Sequence, residues 1–409
     1  MTYKETAEWM FEKLPMYQQQ GKTAYRKDLT NTLLLAEHLR NPEKNLKFIH
    51  IAGTNGKGST AHTLTSILME ADYKVGLFTS PHLKDFRERI KIDGKEISEE
   101  YVIEFIATNK EFFEHNNLSF FEMTTGLALQ YFKAEKVDIV VMETGMGGRL
   151  DSTNIITPIV SVITNIGLDH VQFLGDTLGK IAGEKAGIIK QDIPVVIGEY
   201  TSETKTVFEE IAKKRNAPIY FASDLQNAAL ESDLKGAYQK ANMKTVKQTV
   251  AVINHGGQLK ISDEACKLGM LSVVRNTGLL GRWQVLQQNP TVICDTAHNK
   301  HGLTIVLQQL QESTFDNLHI VLGLVNDKDL EEILSLFPTN AKYYFCSPNI
   351  SRGLDVLILA QKAAEFSLVG NSFSSVSDAY KAAASQALPT DLIYAGGSTF
   401  VVAEILNIF

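Results

Sequence analysis

The sequence predicts an α/β fold in two domains, a larger N-terminal domain with a mostly parallel sheet and a smaller C-terminal Rossmann-like domain. Two observations carry this prediction. Short β-rich apolar runs alternate with stretches of helical spacing along most of the chain. The length of 409 residues exceeds what one ordinary hydrophobic core accommodates.

Composition narrows the class of protein. With 44% hydrophobic and 21% charged residues, the chain is typical of globular proteins. The net charge of -7 argues against a nucleic-acid-binding surface, so the expected partners are small molecules. Three scattered cysteines and the absence of a long apolar N-terminal segment predict a cytoplasmic protein without disulfides, signal peptide or membrane span. No heptad pattern stands out, and we expect a monomer.

The first helical patterns cover residues 2–14 and 28–40, which residues 16–28 would connect. The stretch LKFIHIAGTNGKGSTAHTLTSIL at 46–68 follows, an apolar run, a glycine-rich turn with one lysine, and a helical pattern. Glycines at such a junction let backbone N–H groups surround an anion, and Lys57 can reach the outer phosphates of a nucleotide. The stretch predicts a P-loop and an ATPase-like domain.

This loop departs from the common P-loop pattern. Two residues, not four, separate Gly53 from Gly56, and Gly58 occupies the position where Ser or Thr usually follows the lysine. A hydroxyl ligand for magnesium would therefore come from elsewhere in the chain. The alternative, a glycine-rich turn that only reverses the chain, is less compatible with the strand, the lysine and the helix around it.

Polar side chains follow the next predicted strands at their carboxyl ends, where an open α/β sheet binds ligands. Ser80 and His82 follow a strand at 75–78. Arg87, Arg89 and Lys91 alternate with other residues and predict an edge strand with one solvated face. Helices are expected over 98–117 and 122–134.

Glu143 follows five apolar positions and enters a glycine-rich loop, where a carboxylate is suited to hold magnesium near phosphates. Its alternative is a carboxylate that only accepts a neighbouring N–H. Arg149 and Asp151 lie in the same loop and would pair with each other or meet the substrate. The strand at 159–166 ends near Asp169 and His170, which places both on the same edge of the sheet.

Lys185 lies four residues after Ile181 and four before Ile189, within the apolar stripe of a short helix. Partial burial would depress the pKa of its amine and favour the neutral form, which can capture carbon dioxide as a carbamate. The carbamate would be an oxygen ligand for a metal. The competing interpretation is a lysine that extends to solvent.

Further helices are expected over 202–215 and 239–253. We place the domain boundary in TGLLGRWQVLQ at 277–287, which gives domains at 1–281 and 282–409. From Thr291 a second alternation of strands and helices begins. Asp295 and His298 follow its first strand, and Arg282 lies in the linker.

Taken together, the motifs resemble those of the folylpolyglutamate synthase family, which in bacteria is often bifunctional as dihydrofolate synthase and is part of the Mur ligase superfamily. The matching segments occur in the family's order along nearly the whole chain: GTNGKGS at 53–59, TSPHL at 79–83 followed by FRERI, METGMGGRLDSTN at 142–154, LDH at 168–170, EKAGI at 184–188 and DTAHN at 295–299. Residues 254–276 match no family motif.

The resemblance implies an assignment for each matching residue. ATP would contact the loop Gly53, Thr54, Asn55, Gly56, Lys57, Gly58 and Ser59, and also Asn242, Arg282 and Asp295. Two magnesium ions would be held by Ser80, Glu143, His170 and a carbamylated Lys185. The folate substrate and glutamate would be bound by His82, Arg87, Ser119, Phe120, Phe121, Glu122, Leu150, Asp151, Ser152, His298 and Ser398, with residues 80–91 covering the pterin pocket.

The implied activity is amide ligation. ATP phosphorylates the carboxylate of a pteroate or folate, and the amine of L-glutamate attacks the acyl phosphate. Lys57, Glu143, His170 and Lys185 would be the catalytic residues. Two alternatives are a Mur-type ligase of peptidoglycan amino acids and a nucleotide-dependent switch without ligation. Only 52 residues precede Gly53, whereas a peptidoglycan ligase resembles this chain only after a longer UDP-binding domain.

Overall fold

The computed structural model describes residues 1–15, 28–225, 231–326 and 329–409. Its described residues form two compact units. Unit 1 contains Met1–Asp233 and Gln239–Gly278, and unit 2 contains Leu234–Tyr238 and Leu279–Phe409. The predicted boundary at 281/282 falls a few residues inside unit 2, and the functions assigned to its two sides stay predictions. The predicted connection at 16–28 lies almost wholly outside the described residues.

Unit 1 is built on an eight-stranded sheet in the order β4-β3-β2-β5-β1-β6-β7-β8. All neighbours from β2 to β8 are parallel, and β3 and β4 pair antiparallel at one edge. This confirms the predicted mostly parallel sheet. The strands are β1 Phe48–Ala52, β2 Val75–Phe78, β3 Ile90–Ile92, β4 Lys95–Glu96, β5 Ile139–Glu143, β6 Val160–Ile163, β7 Val195–Ile197 and β8 Ile219–Phe221.

Helices cover both faces of this sheet, as apolar runs in a parallel sheet require. Those of unit 1 are α1 Tyr3–Lys13, α2 Thr30–His38, α3 Lys57–Glu70, α4 Glu99–His115, α5 Phe120–Ala134, α6 Val171–Leu174, α7 Leu178–Lys185, α8 Ser202–Lys214, α9 Gln239–Gly256, α10 Asp263–Met270 and α11 Val273–Thr277. Helix α5 begins earlier than predicted because Ser119 and Glu122 form a capping box.

The predicted edge strand at 87–91 is wrong for its first half. Phe86–Arg89 forms a 3₁₀ turn, which Asp85 and Glu88 close as a capping box. Only Ile90–Ile92 is a strand, and it is buried between β2 and β4 rather than at the edge. The alternation of charges in the sequence therefore reflects a capped turn followed by a strand, not one continuous strand.

The stretch at 254–276, which has no family motif, contributes to the packing of the phosphate-loop helix. Helix α10 approaches α3 so closely that a Cβ on Gly269 would overlap the backbone of Ile67. Ser66 donates a hydrogen bond to the Gly269 carbonyl at 2.7 Å. His62 lies 2.8 Å from the Thr277 hydroxyl. The late helices of unit 1 thus hold the helix that begins at Lys57.

Unit 2 has a six-stranded sheet in the order β13-β12-β11-β14-β10-β9, parallel except for β9. Its strands are β9 Gln284–Gln287, β10 Thr291–Cys294, β11 Leu318–Leu322, β12 Lys342–Cys346, β13 Gly370–Phe373 and β14 Leu392–Gly396. Its helices are α12 Lys300–Glu312, α13 Leu330–Leu334, α14 Val356–Glu365, α15 Val376–Gln386 and α16 Thr399–Leu406. The predicted second α/β domain is confirmed.

A buried polar cluster lies at the amino ends of these strands. His319 and Asp391 are both buried, and His319 Nε2 lies 3.3 Å from Asp391 Oδ2. Asp391 also accepts N–H groups of Asn317 and Leu388. Although burial opposes it, these hydrogen bonds lower the pKa of Asp391 to about 2.

Asp391→Asn is expected to remove part of the acid sensitivity of unit 2. A carboxylate with a depressed pKa stabilises the fold above its unfolded value near 4, and that contribution is lost as the pH falls towards 2. The variant should lose about 1–3 kcal/mol at pH 7 and show a flatter decline of unfolding free energy between about pH 5 and 2. Urea unfolding at several pH values measures both, and parallel curves for the two proteins would contradict the assignment.

Candidate active site

The glycine-rich turn joins β1 to α3 and has the geometry of a phosphate cradle. Gly53 and Gly56 have φ of 152° and 81°, values that favour glycine. A Cβ on Gly53 would overlap the Thr164 hydroxyl, so no larger residue fits there. Lys57 begins the helix, and its Nζ donates to the carbonyl oxygens of Gly53 at 3.1 Å and Thr54 at 3.3 Å.

The segment after β6 fixes the other side of this loop. The Thr54 amide donates to the Asn165 carbonyl at 3.0 Å, and the Asn55 amide donates to Asn165 Oδ1 at 2.9 Å. The Thr54 hydroxyl accepts the Gly167 N–H at 2.9 Å. No sequence pattern indicated Asn165, because its role depends on contacts between segments that are distant along the chain.

Helix α9 closes the loop from a third direction. A Cβ on Gly56 would overlap Asn242 Oδ1, which shows how closely the two residues approach. Asn242 donates to Gln239 at 2.8 Å, and Gln239 donates to the Ser59 hydroxyl at 3.1 Å. The structure therefore brings Asn242 and Ser59, two of the predicted nucleotide-binding residues, to the same loop.

Lys185 is buried, with 4% of its surface exposed, which excludes the interpretation of a lysine that extends to solvent. Its Nζ donates to the Gly53 carbonyl at 2.8 Å, so Lys185 and Lys57 converge on one oxygen. Burial, followed by the charge of Lys57, lowers the pKa of Lys185 to about 7 against the opposing attraction of Asp169 and Asp151. A neutral amine is correspondingly accessible near neutral pH.

Glu143 and Ser80 meet at the carboxyl ends of the neighbouring strands β5 and β2. The buried Glu143 carboxylate accepts the Ser80 N–H through Oε2 at 3.2 Å. Carboxylate and hydroxyl oxygens are ligands that Mg²⁺ prefers, so the donor set fits this ion. Within the described ranges no three His, Cys, Asp or Glu side chains gather as a metal cluster. Two of the four predicted magnesium ligands, Ser80 and Lys185, are outside these residue types.

Asp169 and His170 follow β6 on the same edge of the sheet, as predicted. His170 has a φ of 50° and precedes helix α6. Its backbone N–H donates to Asp169 Oδ1 at 3.0 Å, and its Nε2 lies 4.0 Å from Asp169 Oδ2. The negative charge of Asp169 also reaches Lys185, which links this segment to the phosphate loop.

The glycine-rich loop after β5 is held by Asp151, which does not pair with Arg149. Asp151 Oδ2 accepts the Met146 N–H at 2.9 Å, and Oδ1 accepts the Thr153 hydroxyl at 2.5 Å. Arg149 pairs with Glu184 at 2.8 Å instead. Of the predicted pocket residues here, Ser152 is buried and Leu150 is partly exposed.

His50 supports this loop from strand β1, and no motif indicated it. Its Nε2 lies 2.8 Å from the Thr153 hydroxyl, which gives its own proton to Asp151. Nε2 must therefore be the donor, which fixes the neutral Nε2–H tautomer. Burial lowers the pKa of His50 to about 3, consistent with a neutral ring.

His50→Leu is expected to destabilise unit 1 by about 1–3 kcal/mol because it leaves the Thr153 hydroxyl without its donor. His50→Gln can place an amide N–H near the position of Nε2 and should recover most of the loss. Urea unfolding of both variants measures the difference. Equal stability of the Leu and Gln variants would show that the hydrogen bond does not matter.

The predicted pterin pocket is aromatic. Phe120 stacks on Phe11 with ring centroids 5.4 Å apart, and Phe121 lies 5.9 Å from Phe78. Ser119 and Glu122 are occupied in capping α5 through their mutual hydrogen bonds at 3.2 and 2.7 Å. The ring of His82 lies 6.0 Å from that of Phe11. The structure thus brings His82 and the start of α5 together through Phe11.

Arg87 and Arg89 differ sharply in environment. Arg87, the predicted substrate-binding residue, pairs with Asp85 at 3.0 Å and Glu99 at 3.5 Å. Arg89 is buried and donates through Nε to His82 Nδ1 at 2.7 Å. The alternation of charges did not predict this capped turn. The turn places Arg87 among acidic side chains and buries Arg89 against His82.

Of the predicted residues of unit 2, Asp295 and His298 follow β10, and Arg282 precedes β9. Asp295 is buried and accepts hydrogen bonds from the Tyr238 hydroxyl at 2.6 Å, the Trp283 N–H at 2.6 Å and the Ala297 N–H at 2.8 Å. Burial raises the pKa of Asp295 against these hydrogen bonds. Arg282 donates to the Thr296 hydroxyl and lies close enough to Asp295 to interact electrostatically.

The two predicted glutamate-binding residues both lie in unit 2. His298 lies two residues before α12, and Ser398 directly precedes α16. His298 Nδ1 is 2.9 Å from the Thr296 carbonyl oxygen. The buried Ser398 caps α16 by accepting the Val401 N–H at 3.2 Å. The roles of both residues in binding glutamate stay predictions.

Two family models match the chain: the Mur ligase middle domain over residues 51–264 and the Mur ligase glutamate ligase domain over 281–399. The dihydrofolate synthase/folylpolyglutamate synthase of Escherichia coli is 33% identical over 88% of this chain and 85% of its own length. The chain belongs to this family of Mur ligases. The predicted family, and with it the class of ATP-dependent glutamate ligases of folate metabolism, is confirmed.

Other members agree. The dihydrofolate synthase/folylpolyglutamate synthase of Bacillus subtilis is 30% identical over 98% of both chains. A probable bifunctional folylpolyglutamate synthase/dihydropteroate synthase of Haloferax volcanii is 32% identical over 99% of this chain. The chain spans only 50% of that archaeal relative, so the whole activity named for it does not transfer.

Solved structures of the family share the fold. Escherichia coli FolC in complex with DHPP and ADP superposes with a TM-score of 0.84 at 29% identity, covering 100% of this chain and 97% of the other. A bifunctional folylpolyglutamate synthase/dihydrofolate synthase with Mn, AMPPNP and L-glutamate bound gives 0.86 at 30% identity, with 100% and 98% covered. In the described part of the chain, no helix has the length and apolar character needed to span a bilayer.

Proposed function

We propose that the protein joins L-glutamate to the carboxylate of dihydropteroate and to the γ-carboxylate of reduced folates through an acyl phosphate, at the expense of ATP. One observation carries the proposal within unit 1. The phosphate loop, the buried Glu143 with Ser80, and the buried Lys185 are positioned by adjoining segments at the carboxyl ends of the parallel strands. A phosphate site, oxygen donors and a neutral lysine suit metal-assisted phosphoryl transfer.

The nucleotide would occupy the cradle of backbone N–H groups between Gly53 and Ser59. Lys57, now bonded to two loop carbonyls, would move its Nζ to the outer phosphates and stabilise charge on the transferring group. Asn242, against Gly56, would border the nucleotide. Arg282 and Asp295 stay predicted nucleotide contacts.

Ser80, Glu143, His170 and a carbamylated Lys185 are the residues we propose to hold two Mg²⁺ ions. When bound, the ions supply charge neutralisation at the phosphates. The neutral Lys185 amine would attack carbon dioxide through its nitrogen lone pair, form an N–C bond as one C=O π bond opens, and release one proton to solvent, which converts the neutral amine into an anionic oxygen donor. Relatives solved with Mn and AMPPNP support the use of a divalent metal, which fits these oxygen-rich donors.

The acceptor would bind in the aromatic pocket at the start of α5, with Phe120 and Phe121 against its rings. We also assign to this pocket His82, whose ring lies 6.0 Å from that of Phe11, and Asp151, which holds the loop after β5. Chemistry then needs no side-chain nucleophile, because the acceptor carboxylate itself attacks the γ-phosphoryl group and the glutamate amine later displaces phosphate. We propose His298 and Ser398 for glutamate, and a monomeric protein.

The test is mass spectrometry of products after incubation with ATP, magnesium and glutamate. Dihydropteroate is offered in one tube and tetrahydrofolate in another. One added glutamyl group in both supports a bifunctional enzyme, and extension of tetrahydrofolate alone restricts the proposal to polyglutamate synthesis. ADP release without glutamate transfer, by folded protein, would contradict the proposal and favour a nucleotide-dependent switch. Product with a UDP-muramyl substrate would favour a peptidoglycan ligase.

A further inference from the structure

Arg89 is a buried cation for which the fold provides little compensation. It ends the 3₁₀ turn Phe86–Arg89 and exposes 3% of its surface. Among the described residues, the only hydrogen bond of its guanidinium is the one that Nε donates to His82 Nδ1 at 2.7 Å. Its central carbon lies 5.3 Å from the centre of the Phe120 ring. Nε and one face of the group are therefore fixed, whereas the terminal Nη atoms hold no described partner.

Arg87 shows what a structural arginine looks like in the same turn. It has acidic partners at 3.0, 3.5 and 4.0 Å. Arg89 forms no ion pair within 4.0 Å with any residue that the structure describes, although the charges of Glu143 and Glu88 reach it. Burial lowers the pKa of Arg89 to about 10 in spite of that attraction, so the guanidinium stays charged at neutral pH. A buried, unpaired cation is costly unless an anion completes it.

The surroundings of Arg89 indicate the kind of anion. The buried Phe120 ring packs beside the guanidinium, and the charge of Glu143, one of the proposed magnesium ligands, acts on the same group. A pterin ring is uncharged at neutral pH, whereas a pteroate or folate ends in carboxylate. The two Nη atoms, which have no hydrogen-bond partner in the described part of the chain, match the two oxygens of that group, which guanidinium binds in a bidentate manner.

We propose that Arg89 binds the carboxylate of the pteroate or folate acceptor and holds it for phosphorylation, with His82 fixing the orientation of the guanidinium. This inference rests on the proposed function and adds a substrate-binding residue that the sequence analysis did not assign. His82 accepts at Nδ1 because a guanidinium N–H can only donate, and burial lowers the pKa of the His82 ring to about 3, which keeps the ring neutral. Arg87, two residues earlier, would serve to hold the turn.

The test is equilibrium binding of two ligands to wild type and Arg89→Gln. One is dihydropteroate, and the other is its carboxamide, which lacks the charge. We expect Arg89→Gln to weaken dihydropteroate about ten- to hundred-fold and to change carboxamide binding by less than about three-fold. Competition against a fluorescent antifolate makes weak ligands measurable. Arg89→Lys, with the charge but not the planar fork, should fall between wild type and the Gln variant.

Two measurements keep the result decisive. The first is ADP affinity: a wild-type value shows that the variant is folded and that Arg89 does not contribute to nucleotide binding. The second is Arg275→Gln, which removes one positive charge from an exposed ion pair with Glu70 and controls for the loss of charge alone. Equal weakening of both ligands, unchanged dihydropteroate binding, or a loss of ADP affinity by folded protein would each overturn the inference. Failure of the wild type to bind dihydropteroate would instead overturn the proposed function.

Discussion

Lys185→Ala lowers the single-turnover rate of ligation by about 100-fold or more, if the proposed roles of this lysine are correct. The substitution removes the hydrogen bond that Nζ donates to the Gly53 carbonyl at 2.8 Å, and it removes the nitrogen on which a carbamate would form. Both losses affect the phosphate loop and its metal. Quenched-flow measurement of ADP formed with dihydropteroate and glutamate gives the rate.

Small carboxylates separate the two losses. Acetate or formate can replace a missing carbamate oxygen but cannot restore an amine hydrogen bond, so partial rescue indicates carbamylation. Wild type in carbon dioxide-depleted buffer should lose activity and regain it on addition of bicarbonate. Lys180→Ala is the control, because Lys180 lies on the same helix, exposed and paired with Asp176 at 2.7 Å. Near-normal ligation by Lys185→Ala without added carboxylate would contradict both roles.

Glu143→Gln is expected to reduce ligation by at least about 100-fold and to raise the magnesium concentration needed for half-maximal activity. The amide has the same shape and can still accept the Ser80 N–H, which lies 3.2 Å from the native carboxylate. What it loses is the negative charge that a hard cation requires. A magnesium titration of the ligation rate measures the shift.

Metal-free nucleotide binding provides the internal control for this variant. ADP affinity in EDTA should be unchanged, because the loop N–H groups and Lys57 are unaffected. Glu135→Gln, at an exposed residue paired with Lys74 at 3.1 Å, should leave the magnesium titration unchanged. If Glu143→Gln had the half-maximal magnesium concentration of wild type, Glu143 would have only a structural role.

Residues that belong to a local pattern were predictable from the sequence. The turn between β1 and α3 follows from glycine spacing, and the position of Glu143 follows from a strand that runs into glycines. The burial of Lys185 follows from its place in an apolar stripe. In each case the information lies within about ten residues, which is the range over which periodicity and turn chemistry act.

Residues whose roles depend on contacts across the fold were not predictable. His50 reads as one polar residue in a strand, and only the pairing of β1 with its neighbours places it against Thr153. Arg89 was treated together with Arg87 because their charges alternate, although the acidic residues at 85 and 88 form a capping box that ends such a pattern. That capping box was the sequence signal that could have shown that Arg87 and Arg89 have different environments.

The packing of α10 on α3 has a consequence for synthesis of the chain on the ribosome. The surface of α3 around Ile67 is covered by Gly269, which emerges about 200 residues later. At ordinary rates of chain elongation, this face of α3 stays without its packing partner for roughly 10–40 s. Nascent unit 1 therefore carries an incompletely covered helix next to a phosphate loop that itself still waits for Asn165 and Asn242, a species that chaperones would be expected to engage until residue 278 has left the exit tunnel.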